Sequence, residues 1–282
     1  MNRTLAAALG ALLFCGSALT TQAAQPAEPQ AVLALQPYLG VRALRATVNG
    51  HEGLFLFDTG GGVSVVSPQF AAAVGCKPWG RVTGFRMTGQ RLDFPRCDDL
   101  DFHAGGQTLH VPTAGVFDLA PLLPPDAPPL AGVLALDAFA GRAVSIDLSA
   151  GTLTVESPAS LAARIERASK VPLRLVRDAG GVALAGEIGV STASGTAWME
   201  LDTGSDGALI LGKHVAALFG LDPAAAKPQA ATLRIPGGVQ LQGPALVMDL
   251  IMDGNIGVKV LKDWVITLDL SGGRAWLGPA GT

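Results

Sequence analysis

The tripeptide Asp-Thr-Gly occurs twice in this chain, each time at the end of a short, largely apolar run. The first copy begins at Asp58 after "LFLF", and the second begins at Asp202 after "WMEL". The residues around both copies follow one order: strand, turn, strand, tripeptide, a second β-rich run and a short Ala-rich helix. Self-similarity of this kind predicts a chain made of two duplicated halves.

A second matched pair supports the duplication. Residues 146–151 read "IDLSAG" and residues 268–273 read "LDLSGG". The 36 Gly and 19 Pro residues lie between short apolar runs, which favours strands and turns. We therefore expect a mainly β fold with few short helices, in which two similar lobes are related by pseudo-two-fold symmetry.

The segment between the halves predicts the domain boundaries. Residues 157–170 read as an amphipathic connecting helix or linker, with Ser157 or Ser160 as its N-cap. This gives an N-terminal lobe over residues 25–156 and a C-terminal lobe over residues 171–282.

The first 24 residues have the pattern of a secretory signal peptide. Arg3 precedes an apolar stretch over residues 5–19, and small residues near Ala23 and Ala24 offer a cleavage site. A lipid anchor at Cys15 is the alternative, which the bulky Phe14 disfavours. The sequence predicts export to the periplasm or the medium and no integral membrane segment in the mature chain.

Cys76 and Cys97 are the cysteines left after removal of the signal peptide. In an oxidising compartment they are expected to form one disulfide, and two buried free thiols are the alternative. The four histidines lack metal-ligand spacing, so no metal and no cofactor are predicted. The net charge of −3, with scattered basic residues, does not indicate nucleic acid as a partner.

The repeated aspartates suggest a specific chemistry. Two carboxyl groups within hydrogen-bond distance cannot both ionise, so they share one proton over a broad pH range. The ionised member can then act as a general base on water while the protonated member polarises a carbonyl group. Duplication of a merely structural turn would also explain the pair.

The tripeptides and the block that follows each of them resemble the retropepsin-like and pepsin-like aspartic proteases, particularly bacterial exported proteins of this family. The resemblance implies two acid-protease β-barrel lobes of the retropepsin type, with Asp58 and Asp202 as catalytic carboxylates. The residues that it assigns to supporting the pair are Thr59, Gly60, Thr203, Gly204 and Ser205.

The resemblance also implies a hairpin flap over the cleft. Residues 82–94 and 232–242 are the candidate hairpins, with tips near Thr88 and Gly89 and near Gly237 and Gly238. The sequence departs from the family pattern after the first tripeptide, where Gly61 stands in place of a hydroxyl residue, and at Asn255, a polar residue in an apolar block. The flap tyrosine of pepsin-type enzymes has no counterpart.

These observations predict an exported aspartic endopeptidase that takes an extended peptide or unfolded protein as substrate. Both lobes lie in one chain, so a monomer is expected. The alternative is a catalytically impaired pseudoprotease that acts as a peptide-binding envelope protein. A structural envelope protein without protease behaviour is a further alternative.

Overall fold

The computed structural model describes residues 27–281, and the prediction of a mainly β fold with few short helices is confirmed. The strands are β1 (Ala31–Ala34), β2 (Gln36–Tyr38), β3 (Val41–Val48), β4 (His51–Asp58), β5 (Val65–Val66), β6 (Trp79–Phe85), β7 (Arg91–Ala104), β8 (Gln107–Val116), β9 (Gly132–Ala135), β10 (Ala143–Asp147), β11 (Thr152–Val155), β12 (Ser169–Val171), β13 (Leu173–Val176), β14 (Ala185–Thr192), β15 (Gly195–Leu201), β16 (Leu209–Gly212), β17 (Gln229–Ile235), β18 (Val239–Met248), β19 (Gly254–Ile256), β20 (Trp264–Asp269) and β21 (Arg274–Pro279).

The helices are short. The α-helices are α1 (Pro68–Ala73), α2 (Pro158–Ile165), α3 (Lys213–Ala216) and α4 (Val258–Leu261), and 3₁₀ turns lie at Ala120–Leu122, Leu136–Phe139, Ala179–Gly181 and Ala217–Phe219. Within residues 27–281 there is no helix long and apolar enough to cross a membrane. The predicted signal peptide and its cleavage site lie outside the described residues.

The first lobe is built on an eight-stranded sheet in the order β2-β3-β4-β9-β5-β8-β7-β6. An additional pairing of β3 with β7 curls the sheet toward a barrel. Side chains alternate between faces along a strand. In β4, Phe55 and Phe57 are therefore buried in the core, while Leu56 and Asp58 lie on the opposite face.

The second lobe repeats this arrangement in a seven-stranded sheet, β13-β14-β15-β19-β16-β18-β17, with an additional pairing of β14 with β17. In the first lobe β9 pairs parallel with β4 and antiparallel with β5, which pairs parallel with β8. In the second lobe β19 pairs in the same way with β15 and β16, and β16 with β18. The repeated pairing is the structural counterpart of the sequence duplication.

A six-stranded sheet joins the two halves, in the order β1-β11-β10-β20-β21-β12. Its central pair, β10 and β20, comes from the matched blocks of the two halves and runs antiparallel. The hydroxyl groups of Ser145 and Thr267 are hydrogen-bonded across this pair at 2.9 Å, and both are buried. Strands from both halves are therefore hydrogen-bonded to each other in this shared sheet.

The connecting helix is shorter than the sequence predicts. Ser157 caps α2, and Ser160 completes a capping box, so the expected start of the helix agrees with the structure. The helix ends at Ile165, however, and residues 169–171 form β12, which pairs with β21 at the edge of the shared sheet. The prediction of a helix or linker up to residue 170 is wrong at its C-terminal end because strand pairing claims those residues.

Cys76 and Cys97 are joined as a disulfide, with their Cα atoms 6.0 Å apart. The bond ties the end of α1 to β7, the long strand that continues from the hairpin over residues 82–94. Cys97 is buried in the core.

Replacing both cysteines by alanine is expected to lower the free energy of unfolding by about 3 kcal/mol. A cross-link across a loop of this length restricts the unfolded chain by about that much. Urea unfolding of the oxidised protein and of the double variant measures the difference, and reduction of the wild type should give a similar loss. An unchanged midpoint after reduction would contradict the bond.

Candidate active site

The two Asp-Thr-Gly turns meet between the lobes through their threonines. The main-chain N–H of Thr59 donates to Oγ1 of Thr203 at 3.1 Å, and the N–H of Thr203 donates to Oγ1 of Thr59 at 3.1 Å. Each hydroxyl in turn donates to a carbonyl of the other lobe, Thr203 to Phe57 at 2.9 Å and Thr59 to Leu201 at 2.5 Å. Both threonines are buried, so this reciprocal network locks the turns together.

The glycines of the two turns allow the lobes to approach this closely. A Cβ atom on Gly60 would lie 2.8 Å from Cγ of Asp202. A Cβ atom on Gly204 would overlap the carboxyl group of Asp58, 2.6 Å from its Oδ1 atom. Each glycine therefore packs against the aspartate of the opposite lobe, and neither position has room for a side chain.

Main-chain N–H groups hold both carboxyl groups in place. Oδ1 of Asp58 accepts hydrogen bonds from Gly60 and Gly61 at 2.9 and 2.8 Å. Oδ1 of Asp202 accepts the equivalent bonds from Gly204 and Ser205 at 2.8 and 3.0 Å. The two halves of the site are matched in this respect.

The expected role of the Ser205 hydroxyl needs correction. Its Oγ atom accepts a long hydrogen bond from the N–H of Gly207 at 3.4 Å, and no hydrogen bond in the described chain joins it to Asp202. Ser205 supports Asp202 through its main-chain N–H and not through its hydroxyl group. Gly61 consequently serves Asp58 as well as Ser205 serves Asp202.

The carboxyl groups of Asp58 and Asp202 interact directly. Desolvation between the lobes, followed by the negative charge of Asp202, raises the pKa of Asp58 to about 8, and a side-chain hydrogen bond to Asp202 acts in the same direction. A carboxyl group with such a pKa retains a proton at neutral pH. Asp58 can therefore act as a proton donor at neutral pH.

A third carboxyl group lies beside the pair. Glu200 faces the cleft two residues before Asp202, and burial, followed by the charges of Asp202 and Asp58, raises its pKa well above the usual range. Sequence reasoning missed this residue. The signal was available, because residues i and i+2 of an extended chain share a face, which puts Glu200 of β15 on the same side as Asp202, the residue that follows the strand.

The pair lies in a cleft of about 1060 Å³ between the lobes. The first lobe contributes a mostly apolar wall that includes Val82, Phe94 and Phe117. The second lobe contributes a mixed wall of apolar and charged residues, and the charged ones include Arg174, Glu187 and Asp253. Arg174 and Glu187 form an ion pair there, so their charges are compensated.

The hairpin of β6 and β7 forms a roof over this cleft. Residues 86–88 and 90 at its tip line the cavity, and Thr88 is among them. The carbonyl of Met87 accepts a hydrogen bond from the N–H of Ile251 in the opposite lobe at 2.9 Å. Gly89 adopts a positive φ of 82° and packs near Ile251, where a Cβ atom would lie 3.0 Å from its Cγ2 atom.

The second hairpin does not have the position that the sequence suggested. The turn at Gly237 and Gly238 connects β17 and β18, and a Cβ atom on Gly237 would contact the main-chain oxygen of Lys170. Neither glycine lines the cleft. The prediction of these two residues as a second flap is wrong, because their hairpin rests against the end of the interlobe connection.

Among residues 27–281 no cluster of three or more His, Cys, Asp or Glu side chains has suitable geometry to bind a metal ion. Asp206, which the sequence brings close to the second tripeptide, is exposed and packs near Gly40 outside the cleft.

Comparison with known proteins identifies the fold. No protein-family model and no curated protein matches the chain. The solved structure of basic 7S globulin from soybean is similar with a TM-score of 0.57 and 12% identity, covering 88% of this chain and 94% of that one. Conglutin gamma, a basic 7S globulin from lupine seeds, gives a TM-score of 0.57 and 11% identity, covering 89% and 95%.

These findings correct the family assignment. Both neighbours have a duplicated pepsin-like fold, and this chain shares that fold. They are seed globulins, and no family model or curated protein links the chain to bacterial exported aspartic proteases. The assignment to that protease family is therefore wrong, and lobes of the retropepsin type are not supported.

Proposed function

We propose that this protein binds extended polypeptides in the interlobe cleft and hydrolyses them with a water molecule activated by Asp58 and Asp202. The observation that carries the proposal is the complete support of the aspartate pair. Reciprocal threonine bonds fix the two turns, and four main-chain N–H groups orient the carboxyl groups. A structural turn needs no such mutual arrangement.

The chemistry follows from one proton on two carboxyl groups. The ionised member removes a proton from the attacking water, and the protonated member donates a hydrogen bond to the carbonyl oxygen of the peptide. Because the pair is held rigidly before substrate binds, little reorganisation accompanies the reaction. The raised pKa of Asp58 keeps the required proton in place up to about pH 8.

The cleft is suited to an extended chain. A peptide laid between the roof hairpin and the aspartates can form main-chain hydrogen bonds with flanking strands while its side chains alternate between walls. Val82, Phe94 and Phe117 offer an apolar surface on one side. One chain supplies both carboxyl groups, so a monomer would suffice.

Cleavage of a peptide mixture between pH 3 and pH 9, read by mass spectrometry, tests the proposal. Wild-type protein should cut, and Asp58→Asn and Asp202→Asn should each reduce kcat/KM by at least about a thousandfold, as loss of a central catalytic group does. Cleavage should decline as the pH rises through about 8, because Asp58 then loses its proton. Pepstatin, which mimics the tetrahedral intermediate, should inhibit.

The matched control is Asp206→Asn, which removes an exposed carboxyl group four residues after Asp202 and should leave cleavage unchanged. Residual cleavage in the two active-site variants equal to that of the wild type would assign the activity to a contaminant. Absence of cleavage by the wild type over the whole pH range would overturn the hydrolytic proposal.

A non-catalytic peptide-binding protein is the second candidate, and the comparisons favour it. The two similar structures are named as globulins and not as peptidases. On this proposal wild type and Asp58→Asn would bind the same peptides with similar affinity, and neither would cleave them. Isothermal titration with peptides captured from a library distinguishes the candidates.

Export is part of the proposal. The signal-like pattern at the N-terminus and the Cys76–Cys97 disulfide both fit a protein that matures in an oxidising compartment.

A further inference from the structure

The two lobes differ at one matched position beside the aspartate pair. In the first lobe β4 and β9 place Leu56 opposite Val133. In the second lobe β15 and β19 place Glu200 opposite Asn255 at the corresponding register. An apolar pair in one copy of the duplicated fold is thus replaced by a polar pair in the other.

Asn255 touches the second aspartate directly. Its side chain is fully buried, and Nδ2 donates a hydrogen bond to Oδ2 of Asp202 at 2.5 Å. Its Oδ1 atom is buried without a hydrogen-bond partner in the described chain. Keeping an unsatisfied buried acceptor lowers stability, so a valine like Val133 would be the more stable choice for packing alone.

The hydrogen-bond donors around the two carboxyl groups are therefore unequal. Asp202 accepts two main-chain N–H bonds on Oδ1 and the Asn255 amide on Oδ2. Asp58 accepts two main-chain N–H bonds on Oδ1, and its Oδ2 atom accepts no N–H from any described residue. Donors stabilise the ionised form of a carboxyl group, whereas an oxygen that accepts no N–H bond is the better site for a proton.

Other charged groups surround the aspartate pair. Glu200 is its neighbour on β15, and Glu187 on β14 and Asp58 on β4 act on the same cluster. Burial, followed by the charges of Asp202 and Asp58, raises the pKa of Glu200, and a side-chain hydrogen bond with Asn255 acts in the opposite direction, so the Asn255 amide contacts both carboxyl groups. Glu187 is paired with Arg174, and Asp253 is paired with His214 and with the N–H of Trp198.

We propose that Asn255 is a positioning residue that holds Asp202 in the ionised form and thereby leaves the shared proton on Asp58. The duplicated site is then functionally asymmetric, with Asp202 as the base and Asp58 as the acid before substrate binds. The inference deepens the proposed function, but it concerns the carboxyl groups themselves and holds whether or not a peptide is cleaved.

The opposite orientation of the Asn255 amide would place the shared proton on Asp202. If the amide were turned, Oδ1 would face Oδ2 of Asp202, and the short distance would be tolerable only with a proton on Asp202. The proton would then lie on the opposite member of the pair. Location of the proton therefore decides between the two arrangements.

Carbon-13 NMR of protein labelled at the aspartate carboxyl carbons tests this, with signals assigned by Asp58→Asn and Asp202→Asn. In the wild type, the change in chemical shift at the higher-pH titration step should be larger for Asp58 than for Asp202, by on the order of tenfold. One hydrogen bond to a charged group is worth about that ratio of populations. In Asn255→Val, which restores the residue of the first lobe, the step should be divided nearly equally between the two signals.

Ile256→Val is the matched control, because it alters the neighbouring buried residue of β19 without removing a donor, and it should titrate as the wild type does. The proposal is overturned if the upper step of the wild type appears on Asp202, or if folded Asn255→Val titrates like the wild type. If Asn255→Val does not fold, the wild-type assignment alone decides the location of the proton. If the protein cleaves peptides but the proton is shared evenly, this inference is refuted and the hydrolytic proposal stands. If the protein is inactive but the proton lies on Asp58, only the hydrolytic proposal is refuted.

Discussion

Gly204→Ala is expected to lower the free energy of unfolding by about 3 kcal/mol, the upper part of the range for overpacking a rigid interior. The added Cβ would overlap the Asp58 carboxyl group, 2.6 Å from its Oδ1 atom. Asp58 cannot turn away without breaking its bonds from Gly60 and Gly61. The clash is therefore relieved only by separating the lobes, which would also stretch the bonds between Thr59 and Thr203.

Gly207→Ala is the matched control for this prediction. It lies three residues further along the same loop, and its Cβ would meet only Oγ of Ser205 at 3.4 Å, an ordinary contact. Urea unfolding monitored by tryptophan fluorescence should show a large loss for Gly204→Ala and a change within about 0.5 kcal/mol for Gly207→Ala. Equal midpoints for both variants would mean that the two turns do not approach each other this closely.

Asp58→Asn is expected to stabilise the protein at neutral and alkaline pH. Asparagine resembles the protonated aspartic acid, because its Oδ1 can accept the two N–H bonds and its Nδ2 can donate toward Asp202. Wild-type Asp58 binds its proton more tightly when folded, with a pKa of about 8, than when unfolded, with an ordinary value of 3.8. The stability of the wild type should therefore fall as the pH rises from about 4 to about 8.

The advantage of Asp58→Asn should accordingly be absent below about pH 4, grow through that interval and level off above about pH 8. Its size should be on the order of a few kcal/mol, since each pKa unit corresponds to about 1.4 kcal/mol. Thermal unfolding at a series of pH values measures it, with Asp206→Asn as a control that should give no such trend. A difference that is constant with pH would show that Asp58 has no raised pKa in the folded protein.

The main features of the site could be predicted from the sequence because they are local and repeated. A strand that ends in Asp-Thr-Gly carries its own turn geometry, and two copies in duplicated halves imply a meeting on the symmetry axis. Thr59 and Thr203, which the resemblance assigned to supporting the aspartates, accordingly form reciprocal bonds. The start of the helix at Ser157 was likewise predictable, because a capping box is a short-range pattern.

Other features depend on tertiary contacts that no local pattern encodes. The Gly-Gly turn at residues 237–238 has the same local character as a flap tip, and its position depends on the pairing of β17 and β18 within the lobe and on the contact of Gly237 with Lys170. Asn255 was visible as a departure from an apolar pattern, but its contact with Asp202 depends on the parallel pairing of β15 with β19. The family assignment failed because a fold does not determine function, and the solved structures that share this fold include proteins named as globulins.

The shared six-stranded sheet has a consequence for the order in which the protein can mature. Strand β10 finds its partner β20 only 122 residues later in the chain, as the Ser145–Thr267 bond illustrates. During synthesis the first half would therefore present an open strand edge, a template for pairing with other chains, until Trp264–Asp269 arrives. The hazard of aggregation is greatest in that interval, because the shared sheet is complete only when strands of both halves are present.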